Sequence, residues 1–254
     1  MKIALFSDIH ANIDALERVL EDIDSKNPDA VYCLGDLVGY APFPNEVIDV
    51  IRSHGIPVIA GNYDQGVGAW SNDCGCAYKT DREQSMGEQS ISFTNQTVTD
   101  QNRAYLNSLP AHLRLEFGVN GTPWNLLMVH GSPRKINEYL FEDRKNESLL
   151  RMMRQADTNL MAFGHTHKPY HKVLNEEDGT VRHAVNIGSV GKPKDGDPRA
   201  CYALLEWYNE LDLTRPDALN VQFVRVEYDV ERAAGAVEKS PLPNAFADML
   251  RNGG

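Results

Sequence analysis

No stretch of this 254-residue chain approaches the run of about 18 apolar residues that a membrane-spanning helix needs. Positive charge is in short supply. The 25 Lys and Arg stand against 36 Asp and Glu, a formal charge of −11, which argues against non-specific nucleic-acid binding and against docking on anionic membranes. A phosphate-bearing substrate would need a local source of positive charge, and bound metal ions would supply one. No leader is legible. Met1-Lys2 runs directly into a short apolar segment, without the longer apolar region and small-residue cleavage site of a secretory signal, so the cytoplasm is the expected location. Cysteine is scarce, with four in all. Cys33 and Cys201 lie in apolar runs and read as small buried hydrophobes. Cys74 and Cys76 form a C-x-C with no second pair nearby to complete a zinc site, so they read as ordinary loop thiols. There is no internal repeat and no low-complexity segment, and the 42% apolar content is that of an ordinary globular protein.

What the chain does have is five short apolar runs, each ending in a residue able to bind a metal. They are 3–7 into Asp8-Ile9-His10, 30–34 into Gly35-Asp36, 57–60 into Gly61-Asn62, 125–129 into His130-Gly131 and 159–163 into Gly164-His165-Thr166-His167. Strands that end this way converge on one site, because open α/β sheets bind ligands beyond their carboxyl ends. Two Asp, one Asn and four His suit borderline divalent metals rather than the all-oxygen shell of calcium. Asp8/His10 and His165/His167 are spaced by two, and alternate residues of a strand end point to the same side. Each pair is therefore expected to face one site. Glycine beside Asp36, Asn62, His130 and His165 permits tight turns and close backbone approach.

The order of elements reads as α/β. A buried strand at 2–7 precedes a helix at 12–26 with Asn12 as N-cap and Ile13, Leu16, Leu20 and Ile23 on one face. A strand at 30–34, a helix at 44–54 and a strand at 57–60 follow, which implies parallel strands joined by crossovers. Residues 65–80 are Gly-rich and read as a loop. Residues 81–97 and 99–106 read as polar helices, and 65–110 as a whole as a cap insertion over the strand ends within a single domain covering 1–254. Strands are expected at 113–117, 125–129, 160–163, 201–207 and 221–228, a helix near 147–155, and a hairpin from 171–174 and 181–187. This second half is more antiparallel, consistent with two packed mixed sheets. The tail from Lys239, beginning Ser240-Pro241-Leu242-Pro243, reads as a loosely docked end.

The succession D-x-H, G-D, G-N, H-G, G-H-x-H, spread over residues 8–167, resembles the signature of the calcineurin-like metallophosphoesterases, and most closely that of their small prokaryotic phosphodiesterases. The resemblance implies a four-layer α/β/β/α sandwich of two mixed sheets. It implies two divalent transition-metal ions, one held by Asp8, His10, Asp36 and His167 and the other by Asp36, Asn62, His130 and His165, with Asp36 shared. Manganese, iron, zinc, nickel and cobalt all suit such ligands. Asp36, Asn62 and His130 would be catalytic. A metal-bridging hydroxide would attack phosphorus in line, with the metals clamping the phosphoryl oxygens. The implied activity is a metal-dependent phosphoesterase, a phosphodiesterase or nucleotide pyrophosphohydrolase acting on a small phosphorylated substrate. A non-catalytic interaction scaffold of the same fold, as in a retromer subunit, and a phosphoprotein phosphatase are the alternatives. Oligomeric state is not legible.

The chain departs from the family pattern twice. Many relatives have His after G-N, where it assists the leaving group, and this chain has Tyr63. An ordinary Tyr titrates near 10 against about 6.5 for His, so Tyr63 is a poor acid at neutral pH and good leaving groups are expected. The protein phosphatase branch has G-D-x-V-D-R-G, whose Arg binds phosphate, and this chain has Gly35-Asp36-Leu37-Val38-Gly39-Tyr40. Asn186-Ile187-Gly188-Ser189 is similar to the N-P-G-S loop of the small phosphodiesterases. Asn62, Tyr63 and Arg134 are candidate substrate contacts. Lys135, Lys192, Lys194 and Arg199 read as solvated surface charge, and His54, His112, His171 and His183 as bystanders.

Overall fold

In the computed structural model the described residues are 1–119, 122–207 and 214–254. Two mixed sheets face each other. The first has strands β1 (Lys2–Phe6), β2 (Ala30–Cys33), β8 (Ala200–Glu206) and β9 (Asn220–Val226) in the order β2-β1-β8-β9. The second has β3 (His112–Val119), β4 (Thr122–Val129), β5 (Leu160–Phe163), β6 (Tyr170–Asn175) and β7 (Val181–Asn186) in the order β3-β4-β5-β7-β6. β1 pairs in parallel with β2 and antiparallel with β8. β4, β5 and β7 run parallel, and β3 and β6 are antiparallel edge strands.

The strand pleat separates the side chains into layers. Ile3, Leu5, Leu126, Met128, Leu160 and Ala162 lie in the core between the sheets. Their neighbours Ala4 and Phe6 pack outward under the helices α1 (Ile13–Lys26) and α2 (Pro44–Ser53). Leu127, Val129, Met161 and Phe163 pack outward under α6 (Asn146–Gln155). Both faces of each sheet are covered, which is why the strands read as unbroken apolar runs. Helix α1 buries Leu16, Val19, Leu20 and Ile23, each worth about 1.5–3 kcal/mol of removed apolar surface. Asn12 caps it as expected, accepting from Ala15 N–H at 3.2 Å, while its amide donates to the Gly191 carbonyl at 3.1 Å.

Between β2 and β3 stand α3 (Asn62–Gly68), α4 (Asp81–Thr97) and α5 (Asp100–Ser108). The last two match the predicted polar helices. Their starts are set by Thr80 and Thr99, whose side chains accept from the N–H groups of Glu83 and Asn102.

The structure departs from the sequence reading in three places. Residues 57–60 form no strand. Val58 makes a single bridge to Cys33, and Ala60 N–H donates instead to the Pro110 carbonyl at 2.8 Å. Pro57 has no N–H to offer a ladder. The loop expected over 65–80 begins only after residue 68, because residues 62–68 are helical, with Asp64 accepting from Gly61 N–H at 2.9 Å and closing the first turn. The tail is firmly packed. α7 (Val230–Glu238) and α8 (Ala245–Asn252) bury Ala233, Ala234 and Val237 against Phe246, Ala247 and Leu250. Among the described residues no helix is long and apolar enough to cross a membrane.

Candidate metal centre

The seven predicted ligands come together in one buried place. Asp8 and His10 follow β1, Asp36 follows β2, His130 follows β4, and His165 and His167 follow β5, while Asn62 opens α3. None sits on a strand. The pairs at 8/10 and 165/167 converge through turns, not through the strand alternation expected from their spacing. Asp8, His10, Asp36, His165 and His167 all have φ between 50° and 65°. Backbone in this left-handed region costs non-glycine residues about 1–3 kcal/mol and persists where the surroundings enforce it.

The side chains fall into two clusters, Asp8/His10/His167 and Asp36/His130/His165, with the candidate ligand atoms in each within 4.8 Å of one another. Asp36 stands between them, its Oδ2 being 3.6 Å from His10 Nε2 and 3.4 Å from His130 Nε2. Asn62 Oδ1 joins the second cluster at 3.1 Å from His130 Nε2.

Three of the four rings are oriented from behind. His10 Nδ1 lies 2.9 Å from the Val38 carbonyl, His130 Nδ1 lies 2.8 Å from the Leu34 carbonyl, and His167 Nδ1 meets the Lys192 carbonyl. A carbonyl only accepts, so the proton sits on Nδ1 and the Nε2 lone pair faces the centre. This is the arrangement that fixes metal-binding imidazoles. The carboxylates are held likewise. Asp8 Oδ2 accepts from Ser7 Oγ at 2.5 Å and His165 N–H at 3.1 Å, and Asp36 Oδ1 accepts from Tyr63 N–H at 2.8 Å. Asp8 Oδ1 and His165 Nε2 remain buried without a hydrogen-bond partner. Such orphaned atoms carry a desolvation cost that coordination would remove. The donor set and these inward atoms fit a pair of divalent transition metals.

Electrostatics follow from burial and mutual contact. Burial pushes the Asp8 carboxyl up, but the imidazoles of His167, His130 and His10 outweigh it and hold Asp8 well below the usual range. Asp36 is lowered in the same way: burial opposes, and His130 and His10 prevail. Burial pushes His10 and His165 down to about 3. Burial also opposes protonation of His130, yet Asp36 and Asp8 raise it to about 10, so a metal would have to displace a proton from its Nε2 to gain the lone pair.

The ligands open into a cavity of about 280 Å³. One wall is the 76–87 segment with Cys76, Tyr78 and Met86, and another is α8 with Phe246 and Met249. Several wall residues were not foreseen. Cys76, read as an ordinary loop thiol, has its sulfur 3.4 Å from Asn62 Nδ2, which also donates to the Cys74 carbonyl at 2.9 Å. Tyr139 packs its ring 4.1 Å from that of His165. Tyr63 lines the cavity but is only 1% exposed, wedged beside Tyr40 and His10, and burial raises its hydroxyl well above the ordinary value. Lys192 is 6% exposed and lines the cavity with Lys194, so neither belongs to a solvated surface. Arg134 lies outside the cavity lining, exposed and paired with Glu138. That pairing takes up the charge a substrate would need. Arg199 is paired with Asp197 at 2.7 Å. His171 and His183 face each other at 3.0 Å across β6 and β7, away from the centre.

Residues 1–210 match the family model described as the calcineurin-like phosphoesterase superfamily domain. A curated relative, an uncharacterised protein of Methanocaldococcus jannaschii, is 32% identical over 98% of this chain and 96% of its own. The crystal structure of a metallophosphoesterase from Sphaerobacter thermophilus is 31% identical, covers 100% of this chain and 99% of its own, and superposes with a TM-score of 0.72. The structure of a hypothetical protein from Pyrococcus horikoshii shares the fold at 23% identity, with coverage of 100% and 98% and a TM-score of 0.78.

Proposed function

We infer that this chain, which belongs to the calcineurin-like phosphoesterase superfamily, is a di-metal hydrolase of phosphodiester or phosphoanhydride bonds in small molecules. One observation carries the reading. Two buried ligand clusters flank Asp36, and their histidines His10, His130 and His167 turn Nε2 inward from backbone-anchored rings. Asp8, His10, Asp36 and His167 would hold one ion, and Asp36, Asn62, His130 and His165 the other. When bound, such ions polarise the phosphoryl group and lower the pKa of water.

The chain's own residues set the rest. Asp36 keeps its second oxygen on Tyr63 N–H, so the shared carboxylate cannot swing away from either cluster. Asn62 is fixed through its amide by Cys74 and presents its carbonyl oxygen to the centre. The buried Tyr63 in the usual His position supports substrates whose leaving group departs without protonation. The walled cavity supports a small substrate over a phosphoprotein. The test is hydrolysis of bis-p-nitrophenyl phosphate and p-nitrophenyl phosphate with manganese, iron, zinc, nickel or cobalt, in wild type and Asp36→Ala. Turnover of the diester by wild type, lost in the variant, is expected. No turnover with any metal would favour the scaffold reading.

A further inference from the structure

The cavity holds two lysine amines, Lys192 and Lys194, that no part of the proposed chemistry has used. Lys192 is 94% buried by its 6% exposure, and its ammonium has only soft company, Met249 Sδ at 3.6 Å and the Tyr40 ring with its centroid at 4.7 Å. Lys194 is partly buried on the same wall. Among the described residues neither ammonium has a carboxylate within 4.0 Å, although the chain carries 36 acidic side chains and most of its cavity-remote arginines are paired. Glu83, the acid on the cavity wall besides Asp36, is engaged by Lys79 N–H at 2.7 Å. Burial and the neighbouring Lys194 push the Lys192 amine well below the ordinary lysine range, and burial lowers Lys194 too, because an ammonium buried without a counter-ion is costly. An anion joining the two amines would remove that cost and restore their charge.

Their position says which anion. The Lys192 carbonyl holds His167 and its ammonium rests on Tyr40, which packs edge-on against His10 with centroids 4.8 Å apart. Lys194, two residues along the chain, lines the same cavity. Both lysines thus share that cavity with His10 and His167 of the Asp8/His10/His167 cluster. Tyr40 also stands where the protein phosphatase branch has its phosphate-binding arginine, so this cation reaches the cavity from a different loop.

Building on the di-metal reading, we propose that Lys192 and Lys194 form an anion subsite for a phosphate on the leaving group, which makes phosphoanhydrides the substrate class. In their hydrolysis the oxygen of water forms the new P–O bond. The bridging P–O bond breaks and its electron pair goes to the bridging oxygen. That oxygen departs with the second phosphate, and the released proton goes to solvent. The leaving phosphate gains negative charge, and two ammonium groups beside it stabilise that charge where Tyr63 gives no proton. A diester with an uncharged leaving arm would leave them unused.

The test compares diadenosine 5′,5′-diphosphate with bis-p-nitrophenyl phosphate in wild type, Lys194→Gln and Lys192→Met, with thermal melts to establish folding. Each variant is expected to lower kcat/KM on the diphosphate by about tenfold to a hundredfold, the weight of one charge-assisted hydrogen bond, and at least about tenfold more than on the diester. Calorimetric binding of inorganic pyrophosphate, with metals loaded and after chelation, is expected to weaken by a similar factor. Equal losses on both substrates, or unchanged pyrophosphate binding in a folded variant, would overturn the subsite. If Lys192→Met does not fold, Lys194→Gln decides. Absence of hydrolysis by wild type would defeat the di-metal reading alone, since pyrophosphate binding still tests the lysines.

Discussion

Gly164 packs its Cα against the carboxylate of Asp8. A Cβ at Gly164 would stand 2.4 Å from Asp8 Oδ2 and 2.5 Å from Ser7 Oγ. The same carboxylate oxygen accepts the N–H of the next residue, His165, at 3.1 Å. The close approach therefore ties the loop after β1 to the loop after β5, bringing a ligand of one cluster beside a ligand of the other. Gly164→Ala is expected to push Asp8 and His165 apart while leaving the sheets intact. Loss of such supporting contacts costs about 10–100-fold in metal affinity, and calorimetric metal titration would measure it. Unchanged affinity would show that the loops yield without disturbing the carboxylate.

The same geometry explains how much of the centre was legible beforehand. Each ligand follows a run of core residues such as Leu126-Leu127-Met128-Val129, and a strand can end in only one direction from the core. Neighbouring glycines mark where loops must touch. The lysines and Cys76 escaped because their burial is tertiary. Lys192 is covered by Tyr40 and by Met249 of α8, and the sequence around α8 read as a loose tail after two prolines. Its short 246/247/250 stripe becomes a core only once α7 supplies the opposite face. Helix α3 was missed for a similar reason. Its glycines argue for a loop, and the opposing forces are hydrogen bonds that Asp64 accepts from Gly61 N–H and from Leu37 N–H, the latter 27 residues away.

The His171–His183 pair sets an acid limit. Burial pushes His171 below its ordinary value, and burial together with the neighbouring ring pushes His183 down to about 4. In the unfolded chain both titrate near 6.5, so between about pH 6.5 and 4 the unfolded state binds more protons. Stability then rises with pH and falls on acidification through this window. His183→Gln is expected to flatten the dependence of Tm on pH in that range relative to wild type. Parallel profiles would show that the pair is not strained by protonation.

Chelation should destabilise the fold. Without ions, Asp8 Oδ1 and His165 Nε2 are buried and unsatisfied, whereas coordination would satisfy both. A ligand at a hundredfold its Kd stabilises by about 2.7 kcal/mol, which for a chain of this size corresponds to roughly 5–10 °C in Tm. Melting with EDTA, then with manganese or zinc restored, should show that interval. Its absence in Asp36→Ala would tie the effect to the shared ligand. An equal metal response in that variant would place the stabilising ion elsewhere.

Tyr63 offers the sharpest test of how the leaving group departs. Its ring is wedged between Tyr40 and His10, with centroids at 4.8 and 5.4 Å, and Gly39 leaves no room on its other side, where a Cβ would fall 2.4 Å from the ring. The hydroxyl therefore stays protonated and poorly placed to exchange its proton at neutral pH. In wild type, log kcat/KM across aryl phosphodiesters should fall steeply as leaving-group pKa rises, because charge builds up on the departing oxygen uncompensated. Tyr63→His puts a smaller ring in the same slot, one whose imidazole gives up a proton far more readily than a phenol (about 6.5 against about 10 when unperturbed), and so supplies a better general acid. The expected result is a shallower slope in the variant, with the gain concentrated on poor leaving groups and good ones little changed. A flat dependence in wild type, under conditions where chemistry limits turnover, would mean that another group already provides the proton. The proposed phosphate subsite at Lys192 and Lys194 would then no longer be needed to explain hydrolysis without the usual histidine.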